Sequence, residues 1–224
     1  MRFKIVISML SILLPWPMRR WVLVQLLGFK IDKTARIGFS WVCPMQLEMG
    51  PRSRIGHLTC IRPGMDLLRL EEGAGIGNLN WVSGEPIAGT THYTHQTDRR
   101  SQLIVREQAA ITNRHLIDCS ATVTIGKFST VAGSHTIILS HGIDLENNRQ
   151  RALPVSVGEY CFVGAASVLL AGSALPDCSV LGASALLNKC YTEPNYLYAG
   201  NPARPVKQLS PDRKYVTRVV GYVD

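Results

Sequence analysis

Charge is scarce in this chain, and acid is scarcer still. Only 18% of its 224 residues are charged, with 16 Asp and Glu against 24 Lys and Arg. A globular chain usually carries about a quarter, so disorder and coiled coil are excluded. The surplus of base is also missing from most of the chain. Residues 1–36 hold seven basic residues and one acidic, and residues 189–224 hold six and three, whereas residues 37–188 hold eleven and twelve. A net +8 confined to the two ends does not describe a nucleic-acid-binding face.

The six cysteines (43, 60, 119, 161, 178 and 190) form no CxxC pair and no Cys/His cluster at zinc spacing. They read as reduced small hydrophobes of a cytoplasmic protein. Arg2 and Lys4 precede an apolar run from Ile5 to Leu14, but no small-x-small cleavage site follows it. The run is also shorter than the roughly 20 residues a bilayer span needs. With Trp16, Arg19, Arg20 and Trp21 beyond it, residues 1–30 read as a helical cap. Contact with the inner face of a membrane is compatible with that reading.

What the chain does have is a period of six. Val157, Val163, Leu169, Leu175, Leu181 and Leu187 recur at every sixth position. Small residues follow the first five by four: Cys161, Ser167, Ser173, Ser179 and Ala185. The same register reads Ile31, Ile37 and Cys43, then Met49, Ile55 and Ile61, then Leu70, Ile76 and Val82, and later Ile125, Val131, Ile137 and Ile143. A period of six is neither a helix nor an alternating strand. It fits a short strand plus a turn, three of which close a triangular coil of about 18 residues. The expected fold is all-β, a parallel β-helix over residues 31–190. Polar insertions fall at 83–102 and 142–156, and a basic tail follows at 191–224.

With the stretches VTIGKFSTVAGSHTIILSHGID (123–144), VSVGEYCFVGAASVLLAGSALPDCSVLGASALLNK (155–189) and YAGNPARPVK (198–207), the chain resembles the hexapeptide-repeat acyltransferases. The resemblance is to the galactoside, maltose and colanic-acid O-acetyltransferase group, whose β-helix is left-handed. It covers about residues 31–207. It implies transfer of acetyl from acetyl-CoA to a sugar hydroxyl, a homotrimer with sites between subunits, and no metal. His141, in "SHG", takes the place of the catalytic histidine. Ala165, Ala183, Asn188, Lys189, Arg204 and Lys207 fall on acetyl-CoA positions, and Asn113 and Asp118 match part of an acceptor-binding stretch.

A histidine suits the task because its pKa lies near neutrality and a hydroxyl needs a base. Asp144, three residues on, is a candidate to orient it. His115 could face the acceptor, and His135 occupies a small-residue column as a packing residue. His92, His95, Tyr93 and Arg99–Arg100 fall in the first insertion, which could line a neighbour's acceptor cleft. Two other activities and a binding role stay open. These are N-acetylation of an amino-sugar nucleotide, a γ-type carbonic anhydrase using His115, His135 and His141, and a non-catalytic scaffold. Against the first, no nucleotide-binding βαβ unit precedes the repeats. Wrong histidine spacing weighs against the second. The leading expectation is an O-acetyltransferase of bacterial surface polysaccharide.

Overall fold

The computed structural model describes residues 2–221 and 223. Short parallel strands stack into three sheets that form the faces of a prism. The first sheet has seven strands, from Lys30–Ile31 to Ala174–Leu175, and the third has seven, from Trp41–Val42 to Leu186–Leu187. The second has nine, beginning at Arg36–Ile37 and ending with Tyr196–Ala199 and an antiparallel edge strand, Arg204–Gln208. Each coil hydrogen-bonds to the next in register, as where Ile31 lies beside Met49 and Ile37 beside Ile55.

The inward columns follow the hexad. Ile31, Met49, Leu70, Val105, Ile125, Val157 and Leu175 line the first face and are all nearly inaccessible. Branched aliphatics at these positions fill a tube too narrow for water, so burial supplies the stability that two-residue strands lack. From the first sheet to the second every step is six residues, with Ile31 followed by Ile37, and Val157 by Val163. From Met49 onward the turn there is made by the third residue after each inward aliphatic, which takes a left-handed backbone even where it is not glycine, as at Gln108, Phe128 and Tyr160.

The third face departs from the expected register in two places. Val42, not Cys43, stands above Ile61. Ile138, not Ile137, stands between Ile117 and Leu169. The extra residue lies in the turn before it: His135 takes the left-handed position (φ 63°) and is exposed, so Thr136 goes inward in its place. Ile143 leaves the column altogether and is 66% exposed. Its segment is not a plain loop but an antiparallel hairpin, His141–Asp144 with Arg149–Ala152, after which Val155–Val157 rejoins the first sheet.

Chain excursions gather at one edge, the corner between the third and first sheets. The step from Val42 to Met49 is short, as is that from Leu169 to Leu175. The steps from Val82 to Val105 and from Ile138 to Val157 carry the two insertions.

Two helices, α1 (Arg2–Leu10) and α2 (Trp16–Gln25), close the open end of the first coil. That end leaves strand carbonyls without partners, and the helices supply them to each sheet. Arg20 Nη2 donates to the Ile31 carbonyl (2.6 Å), Arg19 to those of Gly38 and Ser40 (2.6 Å each), and Ser8 Oγ to that of Val42 (2.7 Å). Arg19 is 3% exposed, and burial lowers its pKa to about 10, which leaves it charged at neutral pH. No helix among the described residues is long and apolar enough to cross a membrane.

The far end is closed differently. Beyond Arg204–Gln208 the tail turns back along the corner between the first two sheets. Arg213 donates to the Cys178 carbonyl, Tyr215 to that of Cys161, Arg218 to that of Phe128, and the Gly221 amide to Gln108 Oε1. The Arg218 guanidinium lies 3.8 Å from the Tyr215 ring centre.

Candidate active site

At the corner where the insertions leave the prism, a polar cleft of about 310 Å3 opens. Consecutive coils contribute to it: Arg62, then Ser83 and Glu85, then Asp118 and Ser120, then His141 and Gln150. Parallel stacking is what brings them together, because residues at one corner of successive coils are neighbours in space however far apart in sequence.

Asp118 ends the strand Leu116–Asp118 and is 6% exposed. A carboxylate so placed needs donors, and it has them. Ser120 Oγ and Ser140 Oγ donate at 2.8 Å each, and their backbone amides approach at 3.3 and 3.2 Å. His141 Nδ1 completes the set at 2.8 Å. Burial by itself would raise the Asp118 pKa, but the hydrogen bonds from His141, Ser140 and Ser120 outweigh it and hold the carboxyl below its ordinary value. It is an anion, so Nδ1 carries the proton and Nε2 has a lone pair. The bond from Asp118 also raises the His141 pKa, against a smaller lowering by burial. The imidazole side chain is 40% exposed to the cleft, and among the described residues Nε2 has no protein hydrogen bond. An oriented imidazole with a free basic nitrogen in a polar cleft is equipped to take a proton.

Asp144 does not orient His141. Its carboxylate accepts from the amides of Glu146 and Asn147 and from the Asn147 side chain, closing the hairpin's own turn. Asp118, expected on the acceptor, does the orienting instead. His115 is also displaced from its expected role, being 2% exposed. Its Nδ1 accepts from the Thr136 amide (3.1 Å) and its Nε2 pairs with Thr112 Oγ1 (3.0 Å), so both ring nitrogens are used inside the coil. Burial lowers its pKa to about 4, which keeps it neutral. With both nitrogens engaged, it has none to offer a metal. His135 is no packing residue either, since it is exposed and pairs with Ser134.

The first insertion contributes more than its histidines. Arg99, 7% exposed, donates to the carbonyls of Glu85 (2.7 Å), Ser120 (2.6 Å) and Pro86 (2.8 Å), and its guanidinium lies 4.5 Å from the Tyr93 ring centre. Tyr93 Oη donates to Gln150 Oε1 (3.0 Å), and Gln96 exchanges two hydrogen bonds of 2.8 Å with the Ala152 backbone. The two insertions are thus joined along a seam beside His141. His92 lines the cleft, and His95 and Arg149 line its continuation along the seam. In the sequence the seam carries no pattern, because Tyr93 and Gln96 lie over fifty positions from Gln150 and Ala152.

The remaining expected residues fall elsewhere. Ala165 and Ala183 sit at the corner between the second and third sheets, in a run of small residues. A Cβ on Gly133 would meet Ala165 Cβ at 2.6 Å, and one on Gly164 the Ala183 amide at 2.5 Å. Asn113 is at the same corner, where its Oδ1 accepts from the Asn78 amide (2.7 Å). Asn188 and Lys189 are exposed across the third sheet from that corner, and Arg204 and Lys207 are exposed on the edge strand. The structure therefore does not bring all the expected acetyl-CoA positions to one place in a single chain.

No family model and no curated protein matches the sequence. Solved structures do match it. The polysialic acid O-acetyltransferase OatWY is 19% identical, with a TM-score of 0.62 over 85% of this chain and 90% of that one. A hexapeptide-repeat-containing acetyltransferase from Vibrio cholerae, VCA0836, is 18% identical over 62% of this chain and 74% of that one, with a TM-score of 0.47. The first likeness places the chain in the left-handed hexapeptide-repeat β-helix fold.

Proposed function

We propose that this chain is an acetyl-CoA-dependent O-acetyltransferase with a sugar hydroxyl as acceptor and His141 as general base. The observation that carries the reading is the His141–Asp118 pair, 2.8 Å long, with Nε2 free at the mouth of a polar cleft. Acetyl-CoA supplies an acyl group already activated as a thioester, so the protein must supply a base and alignment. His141 Nε2 takes the proton of the acceptor hydroxyl as its oxygen attacks the thioester carbonyl, and returns that proton to the departing thiol. Asp118 holds the ring in the tautomer this requires and balances its transient charge.

The run of small residues at Gly133, Ala165 and Ala183 suits a slender pantetheine arm, since side chains there leave room along the corner. The exposed Arg204 and Lys207, held on a strand that begins beside Pro202, would meet CoA phosphates. That corner and the His141 corner are separated by the whole width of the third sheet. The outward column of this sheet is apolar throughout, Trp41, Cys60, Trp81, Leu116, Ile137, Val168 and Leu186. The first sheet shows Lys30, Glu48, Arg69, Ile104, Thr124, Ser156 and Ala174 at the same positions, polar at all but Ile104 and Ala174. An apolar face between two half-sites supports a closed trimer, in which His141 of one subunit meets the small-residue corner of the next.

The cleft continues between the insertions past Thr91, Thr94, Asn148 and Arg149, a lining suited to the hydroxyls of a glycan. OatWY acts on polysialic acid, and a surface polysaccharide is the acceptor class adopted here. The test is release of free thiol from acetyl-CoA against a panel of sugars and bacterial glycan fragments. Acceptor-dependent release that is lost in His141→Ala supports the reading. Failure of every acceptor, or full release by that variant, removes it.

A further inference from the structure

The helical cap has two faces, and only one is explained by the prism it covers. Ser8, Ser11, Arg19 and Leu23 face inward, where the polar ones meet carbonyls and Leu23 joins the core. On the other side Phe3, Val6, Leu10 and Leu13 recur along α1 and the turn after it, 52–78% exposed, and Met18 and Trp21 continue the surface on α2 at 57% and 60%. Spacing of three and four residues puts each set on one helical face. These side chains contact nothing that needs them, and water is a poor neighbour for so many together.

The two helices themselves carry cations and no carboxylate, the first acid being Asp32 on the coil beneath Arg20. Lys4 is exposed on the flank of α1, one turn before Ser8, and Arg20 is half-buried on α2. Lys30 is exposed but already paired with Glu48. Two such caps facing one another would set cationic helices together with no carboxylate on either helix. An anionic lipid surface offers the complement, with hydrocarbon for Phe3, Leu10 and Leu13, headgroup phosphates for Lys4, and an interfacial depth for the Trp21 indole. α1 is nine residues long, enough to lie in the interface and too short to cross it.

We infer that the outward face of α1 and α2 docks the protein on an anionic lipid surface, with α1 lying in the plane of the headgroups. The inference stands apart from the acetyl-transfer reading, because it uses neither the cleft nor the third sheet. It places the prism axis end-on to the membrane.

The test is co-sedimentation of the full chain with vesicles of equal parts phosphatidylglycerol and phosphatidylcholine, and with phosphatidylcholine alone. The chain should sediment with the first, less so as salt is raised, and poorly with the second. Leu10→Asp with Leu13→Asp should weaken partitioning by roughly tenfold or more while melting as the parent does, since both residues are exposed. Lipid should shift the emission of the parent to the blue, and Trp21→Phe should sediment normally without that shift. The inference is overturned if the parent stays in the supernatant with both vesicles, or if the double aspartate variant sediments like it. It is also overturned if the parent pairs end to end without lipid and that variant does not, which would make a second copy the partner.

Discussion

Two edges of the prism are built from the same repeat and have become different things. Between the first and second sheets every coil turns in six residues, and the tail lies along that edge, donating in turn to Cys178, Cys161, Phe128 and Gln108. Between the third and first sheets the turns vary from short to very long, and the polar cleft and His141 are found there. Extra residues at a corner need not disturb the strands on either side, and closing a longer loop costs little more than closing a short one. Insertion is therefore cheap at any corner in principle. A regular edge is required where a strap must meet one coil after another at a constant rise, and an irregular edge where side chains from several coils must converge.

If that division is right, substitutions at the two edges should separate turnover from stability. His141→Ala should lower kcat by roughly 10²–10⁴ on a competent acceptor and leave the melting temperature nearly unchanged, read by thiol release and calorimetry. Ala183→Trp, on the remaining corner, should weaken acetyl-CoA binding by about 10²-fold in calorimetric titration with the trimer or monomer mass unaltered, because Ala183 is exposed and its ring would fill the bare track.

Asp118→Asn should cost roughly 10- to 100-fold in kcat. It should also move the pH profile. The base works as neutral imidazole, and Asp118 holds the His141 pKa above its ordinary 6.5, so activity should rise with pH through a midpoint above that value. In the variant the midpoint should fall to lower pH. A midpoint that does not move would detach Asp118 from the base. The smallest effect belongs to the regular edge: Arg218→Ala should lower the melting temperature by a few degrees, for a loss of about 1 kcal/mol, with kcat unchanged.

The same contrast explains how far the sequence could be read. The hexad was plain at the regular edge because a strict period survives there from Ile31 to Leu175. It blurred at the third sheet, where the step from Ile37 to Val42 is one residue short and that from Val131 to Ile138 one long. Alternation of two makes such slips costly to misjudge, since they turn Ile137 outward and Ile138 inward. His141 was legible through its motif. Its partner was not, because Asp118 and His141 meet across a coil boundary, and the neighbour in space was hidden behind the nearer Asp144. Tyr93 and Arg99 stood out only as members of the first insertion, Gln96 and Gln150 have no period at all, and only the fold reveals the contacts that join the two insertions.

The strap has one further effect on the whole object. A stack of coils in contact only with its neighbours comes apart from its ends, each coil loosening without news of the others. The strand of chain that runs from the Cys178 carbonyl back to Gln108 crosses several coils and ties late repeats to earlier ones. Load applied to the C-terminus would be taken first by the Gly221 contact and then by those of Arg218, Tyr215 and Arg213, pulled open one after another like the teeth of a zip. The hydrogen-bonded coils would feel it only once that zip had run to its end.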